Sequence, residues 1–453
     1  MMRKESMYLP ETVVQCINAL EQAGFAAYVV GGCVRDACLG LIPQDYDMCT
    51  SATPDQTEAV FGDKRLVLAG KKHGTVGVVT DTGVVEITTF RTEGSYRDNR
   101  HPDWVQFVSD VESDLARRDF TVNAMAYSPT RGYADPFGGR EDLQKGILRA
   151  VGDPETRFQE DSLRILRGVR FAVRYGLTVE EATEKAMFRQ ASLMDNLARE
   201  RVFEELCKLL PLVTAEDLGR FAPILAAVIP ELAPMIGFDQ RSPHHGYDLY
   251  THTAWVVAGT PADLTLRWAA LLHDVGKIPT FTLDDNGRGH FLNHAAVSAE
   301  MADGILRRLK APNTLREQAV LLIEKHMLWL VPEKKQLRRQ IGRLGLRTVY
   351  QLLSLQQADN SSKGTEKSGE NDTYVRILEV LEEIRSEDGC LSLRDLAVNG
   401  HDLMEIGFAG RSIGRMLNWL LEQVIEENLP NERSVLLDWA RRVWMDAHGT
   451  VSD

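Results

Sequence analysis

YVVGGCVRD (Tyr28–Asp36) followed by QDYDMCTSATP (Gln44–Pro54) decides the reading of the fold. Ala26 to Val30 is a short apolar strand candidate that runs into Gly31-Gly32. Two glycines after a strand let backbone approach a phosphate closely, and the helix that follows opens with unpaired N–H groups. Arg35 adds a fixed positive charge. Asp45 and Asp47 are two residues apart, so on an extended segment both carboxylates point to one face. Such a pair repels itself unless a cation sits between, and oxygen ligands suit magnesium, which also takes phosphates.

Working outward, Glu11 to Ala23 has helical periodicity. Thr75 to Thr80 and Val84 to Phe90 are β-branched runs joined by Asp81-Thr82-Gly83, a hairpin signal. Beyond Asp161 strand signals nearly vanish and helical segments run to the end, including Tyr374 to Arg385 and Ile413 to Glu426. The polar run Asp359 to Asp372 reads as a linker or mobile loop. A small α/β head on a long helical body is expected.

The 453 residues carry a net charge of -13. That argues against indiscriminate nucleic-acid binding but leaves room for a local basic face, such as Lys334, Lys335, Arg338, Arg339, Arg343 and Arg347. No stretch approaches a membrane span, and Met1 to Pro10 lacks an apolar signal core, so a cytoplasmic location is expected. The six cysteines form no Cys-x-x-Cys pair and fit free thiols in a reducing compartment.

The chain resembles the bacterial CCA-adding enzymes, in the class that includes bacterial poly(A) polymerases. The first family motif, GG-x-VRD with D-x-D, is matched by Gly31 to Asp36 with Asp45 and Asp47. RRDFT-x-NA is matched by Arg117 to Ala124, and the D-x-x-x-G-x-x-DL hinge by Asp135, Gly139, Asp142 and Leu143. EDSLRILRGVRF, Glu160 to Phe171, matches the fourth motif, and ARERVFEEL, Ala198 to Leu206, the fifth. The resemblance implies an α/β nucleotidyltransferase head of polymerase-β type, followed by an all-α body. It implies tRNA, CTP and ATP as partners, magnesium on Asp45 and Asp47 as catalytic residues, and nucleotide contacts from Gly32, Arg35, Arg118, Asp161, Arg164, Arg167 and Arg170.

On a helix Asp161 and Arg164 would be neighbours on one face. A carboxylate accepts and a guanidinium donates, which suits the edges of cytosine and adenine but not of uracil or guanine. Glu86 is the candidate third carboxylate. Arg91 to Phe107 resembles the flexible loop of full CCA-adding relatives, with Asn99-Arg100-His101-Pro102 where relatives often carry Gly-Arg-Arg-Pro.

A second constellation follows. LRWAALLHDVGKIP (Leu266–Pro279) places His273-Asp274 at the end of an apolar helix, with His252 upstream and His294, His326 and Asp359 downstream. This order resembles the HD superfamily of metal-dependent phosphohydrolases. Imidazole and carboxylate together bind divalent transition metals. The resemblance implies an HD site on His252, His273, Asp274 and Asp359, with His294 and His326 for a second metal, and phosphatase or cyclic phosphodiesterase activity.

The expected domains are residues 1–150 (catalytic head), 151–235 (nucleotide-recognition neck), 240–360 (HD domain) and 373–453 (tRNA-binding body and tail). No obligate protein partner is evident. The alternatives are a poly(A) polymerase, a partial CC- or A-adding enzyme, a regulatory protein nucleotidyltransferase with an HD signalling hydrolase, and an inactive RNA-binding scaffold. AGKKHGTVGVV (Ala69–Val79) differs from the Gly-Arg-Arg-Phe-type segment of the polymerases and favours CCA addition.

Overall fold

The computed structural model describes residues 7–94, 105–242, 246–363, 370–387 and 389–448. The chain forms two compact units, Met1–Val213 with Arg220–Ala233, and Thr214–Gly219 with Pro234–Asp453.

In the first unit, α1 (Glu11–Gln22) buries Val13, Cys16, Ile17 and Leu20, the stripe its periodicity predicts. It packs on β1 (Ala27–Val30), where every residue is buried. Then come α2 (Gly32–Cys38), β2 (Met48–Thr50), β3 (Leu66–Val67), β4 (Thr75–Thr80), β5 (Gly83–Thr89), β6 (Arg91–Glu93), β7 (Val105–Phe107), β8 (Ala126–Ser128) and β9 (Gly132–Ala134). The main sheet has the order β3-β4-β5-β2-β1-β8-β9. The expected hairpin is β4–β5. β2 lies antiparallel to β1 and parallel to β5, with Met48 opposite Ile87. One residue back along that register, Asp47 stands level with Glu86.

β6 and β7 pair with each other outside the main sheet. The segment Asn99 to Pro102 lies outside the described residues. After the head, helix Leu163–Tyr175 packs on helix Arg199–Leu209 and sets Phe171 edge-on to Phe120, with centroids 5.9 Å apart.

In the second unit, helix Leu264–Leu272 is buried along almost its whole length, capped by the Asp263 side chain. Helices Leu249–Gly259 and Leu346–Ser361 pack around it. A hairpin, Phe281–Leu283 with Gly289–Phe291, interrupts the helices; its three-residue strands were too short to show a period of two. Helices His294–Arg308 and Asn313–Lys325 follow and pack together. Helix Leu346–Ser361 runs through Asp359 and helix Glu370–Ser386 begins before Asp372, so both ends of the expected linker are helical, and residues 364–369 lie outside the described residues.

The basic face takes a different form from the one expected. Arg338 pairs with Glu387 (2.7 Å) and Glu427 (2.5 Å), Arg339 with Glu426 (2.5 Å), Arg343 with Glu422 (3.5 Å) and Arg347 with Asp263 (3.2 Å). Lys334 also pairs with Glu387. Five of the six cations named for that face thus meet carboxylates of their own chain.

Candidate active site and a histidine–aspartate centre

Gly31 has φ 78° and ψ −122°, a conformation that L-residues rarely adopt. A Cβ there would lie 2.8 Å from Arg118 Nη1 and 3.7 Å from the Asn123 carbonyl. The absent side chain therefore lets Arg118 lie across the turn. Gly31 N–H donates to the Met125 carbonyl, and Val30 N–H to that of Asp47, which stitches the turn between β8 and the entry to β2.

Asp45 and Asp47 precede β2 on extended chain. Asp47 keeps solvent-exposed surface, yet packed protein around its carboxyl lifts it above the ordinary range. Asp45 and Glu86 push it the same way, while Arg118 opposes them. Three carboxylates thus converge beside an arginine and a glycine turn.

Arg35 is differently employed from the open charge expected. Only 6% exposed, it donates to Asn123 Oδ1 (2.5 Å), Asp36 Oδ1 (2.7 Å) and the Tyr175 hydroxyl (2.5 Å), and stacks 4.4 Å over the Tyr175 ring. Asn123 in turn donates to Asp119 Oδ1 (3.0 Å), and Asp119 Oδ2 accepts from Arg167 (2.8 Å). The chain of contacts joins the glycine-turn motif, the second motif and the arginine series.

Asp161 is not on the helix that carries Arg164. Helix Pro154–Glu160 ends there, with Asp161 extended at φ −143°, and the next helix begins at Leu163. Asp161 pairs with Arg201 (2.8 Å). Arg164 pairs with Glu160 (2.6 Å) and donates to the carbonyls of Arg157 and Arg117 (2.9 Å each). Arg170 forms a buried pair with Glu205 at 2.6 Å. The arginines at three-residue steps therefore reach three different carboxylates. Glu160, Arg201 and Glu205 lay inside the quoted motifs, and Asp119 inside RRDFT, but nothing local assigned their partners.

In the second unit, His273 caps helix Leu264–Leu272 and Asp274 follows it. Gly276 permits the next approach: a Cβ there would lie 2.5 Å from Ser298 N and 2.7 Å from the His294 carbonyl. The turn thereby docks on the first turn of helix His294–Arg308. His252 Nε2 lies 3.0 Å from Asp359 Oδ1 and 3.6 Å from Asp274 Oδ2. His273 Nε2 is 3.2 Å from Asp274 Oδ2, and His294 Nε2 is 3.5 Å from Asp274 Oδ1. Lys277 Nζ also reaches Asp274 Oδ2, at 2.7 Å.

Each of the four imidazoles directs Nδ1 at a main-chain carbonyl: His252 at Ser362, His273 at Ala270, His294 at Phe291 and His326 at Ile323. A carbonyl only accepts, so every Nδ1 carries the proton and every Nε2 of a neutral ring presents a lone pair inward. The Nε2 atoms of His294 and His326 face each other at 3.3 Å. Burial, with His273 adding to it, pulls His326 down to about 4, so it is neutral near pH 7. His252, His273 and Asp274 form one potential ligand group and Asp274, His294 and His326 another, so Asp274 is shared.

The fold and first site define a nucleotidyltransferase with a poly(A)-polymerase-type head. Residues 27–149 match the family described as "Poly A polymerase head domain". Residues 176–216 match "Probable RNA and SrmB- binding site of polymerase A", and residues 289–440 match the tRNA nucleotidyltransferase domain 2 family. The CCA-adding enzyme of Lactiplantibacillus plantarum is 32% identical over 439 residues, with 94% of this chain and 95% of that protein covered. That of Bacillus subtilis is 31% identical over 427 residues, covering 94% and 96%. The chain belongs to the CCA-adding enzymes. The crystal structure of Bacillus stearothermophilus CCA-adding enzyme in complex with CTP is similar over 96% of this chain and 97% of that one, at 28% identity and a TM-score of 0.71. Among the described residues, no helix is long and apolar enough to cross a membrane.

Proposed function

We propose that this protein adds C, C and A to the 3′ end of tRNA without a nucleic-acid template, taking CTP and ATP and releasing pyrophosphate. The observation that carries this reading is the convergence of Asp45, Asp47 and Glu86 beside Gly31 and Arg118, in a chain whose relatives are CCA-adding enzymes. Burial lifts the Asp47 carboxyl, and Asp45 and Glu86 add to it against Arg118, so the donor set fits magnesium held by Asp45 and Asp47, with Glu86 the third oxygen donor. When bound, magnesium activates the attacking 3′-hydroxyl and neutralises charge on the leaving pyrophosphate. Arg118, across the turn at Gly31 and Gly32, supplies positive charge for the triphosphate. Asp161 and Arg164 read the base, with Arg35, Arg167 and Arg170 holding the surrounding framework.

Incubation of tRNA lacking its CCA end with CTP, with ATP and with both tests the reading. CTP and ATP together give a three-nucleotide extension, whereas a long adenosine ladder would identify a poly(A) polymerase. Replacing both carboxylates, Asp45→Asn and Asp47→Asn, lowers the addition rate by on the order of a thousandfold or more. Normal extension by that variant would refute the active centre.

We further infer a metal-dependent phosphohydrolase in the second unit. His252, His273, Asp274 and Asp359 would hold one divalent transition metal, and Asp274, His294 and His326 a second. The supporting observation is the set of four Nδ1–carbonyl contacts, which turns the Nε2 lone pairs inward, where a cation can take them. Such a centre supplies acidified water for attack on a phosphate ester.

A further inference from the structure

A carboxylate that chooses between bases must offer a defined number of acceptor positions. Asp161 has about four lone-pair sites. Oδ1 receives Leu163 N–H at 3.1 Å and Arg201 Nη1–H at 3.3 Å, while Oδ2 receives Arg201 Nη2–H at 2.8 Å. Among the described residues, one site remains, on Oδ2.

Arg164 has five N–H donors. Nη1 uses two, on Glu160 Oε2 and the Arg157 carbonyl, and Nη2 uses one, on the Arg117 carbonyl. Among the described residues, Nε–H and one Nη2–H remain. The pair therefore offers one acceptor and two donors. Cytosine presents one donor, N4, and two acceptors, N3 and O2. Adenine presents N6 and N1. Uracil and guanine place a carbonyl where the amine should be, against the remaining lone pair of Asp161.

We infer that Arg201 is a specificity-positioning residue, whose two-pronged grip on the Asp161 carboxylate leaves a single oriented acceptor for the exocyclic amine of the incoming base. This rests on the proposal that Asp161 and Arg164 read the nucleotide. Asp161 is extended at a junction between two helices and is not fixed by helical backbone. Leu163 N–H holds only one of its oxygens. Arg201, on helix Arg199–Leu209, supplies the planar fork that fixes the carboxylate plane. Without it the carboxylate rotates and offers several acceptor sites in no fixed direction. The side chains of Asp161 and Arg201 are 17% and 24% exposed, which leaves room for a ligand alongside the pair.

The test uses full-length enzyme and tRNA ending one C short, with CTP and UTP as competing substrates. Arg201→Ala is expected to reduce CTP-over-UTP selectivity by about tenfold, the worth of one oriented hydrogen bond. The effect should fall more on KM for CTP than on kcat. Arg201→Lys, which can hold one oxygen but not both, should recover part of the selectivity. Asp161→Ala should lose at least as much, and the double variant no more than Asp161→Ala alone. If Asp161→Ala loses selectivity while Arg201→Ala and Arg201→Lys keep it, the role of Arg201 is overturned and base reading stands. If Asp161→Ala also keeps it, base reading falls and this inference with it. Thermal unfolding identifies a variant that fails to fold; should Arg201→Ala do so, Arg201→Gln and Arg201→Lys decide the question by the same criterion.

Discussion

Asp119 is almost fully buried, 7% exposed, and accepts from Phe120 N–H, Asn123 and Arg167. Burial alone would raise its carboxyl, but Arg167 and Asn123 outweigh it and hold the group at about 2. The folded value lies below the ordinary 3.8. The associated stability is therefore fully present above that ordinary value and is lost as pH falls through about 2. A shift of this size is worth on the order of 2 kcal/mol. In urea denaturation from pH 5 towards pH 2, Asp119→Asn should lose less stability than the parent by roughly that amount. Parallel pH profiles would mean that the Arg167 pairing adds nothing to the fold. RRDFT was quoted in the sequence as a motif, but the partner of its aspartate lies 48 residues on, beyond any local pattern.

Among the elements, the strand–turn–helix around Gly31 is the most demanding. A methyl group there meets both an unfavourable φ and the Arg118 guanidinium at 2.8 Å. Gly31→Ala should destabilise the protein by about 1–3 kcal/mol. It should also displace Arg118 and so depress nucleotide addition further than the loss of stability alone would. Melting temperature and the tRNA extension rate, measured together, check this. An unchanged rate would separate the turn from the chemistry.

This element was legible because apolar strand, paired glycine and spaced aspartates each carry a local physical cause, and the β4–β5 hairpin was legible for the same reason. The break at Asp161 was not. Two helices abut there with no glycine or proline between them, so the Asp-x-x-Arg spacing reads as continuous helix. The ion pairs of the basic helix were hidden for a related reason. Its charges were visible, but Glu387, Glu426 and Glu427 reach it only through tertiary folding.

For the molecule as a whole, the two constellations lie in separate compact units. Their chemistries should therefore dissociate under mutation. Asp274 is shared by both potential ligand groups of the second unit, so Asp274→Asn should abolish bound divalent transition metal, measured by elemental analysis, and hydrolysis of 2′,3′-cyclic phosphate ends. The Asp45→Asn, Asp47→Asn enzyme should retain both. Equal metal content in parent and Asp274→Asn proteins would remove the metal centre from this account. The histidines were legible in order along the chain, while the place of Asp274 in both potential ligand groups needed the close docking that Gly276 allows.

Arg35 connects these scales within the first unit. It leaves the helix after the glycine turn and grips Tyr175, the last residue of the helix on which Arg164 stands near the start. At 1.5 Å per residue, the separation from Arg164 to Tyr175 is about 16 Å of stiff rod. On the proposed reading, the glycine turn and the base-reading end of that helix are therefore coupled through one lever, so a change at Tyr175 is felt at Arg164.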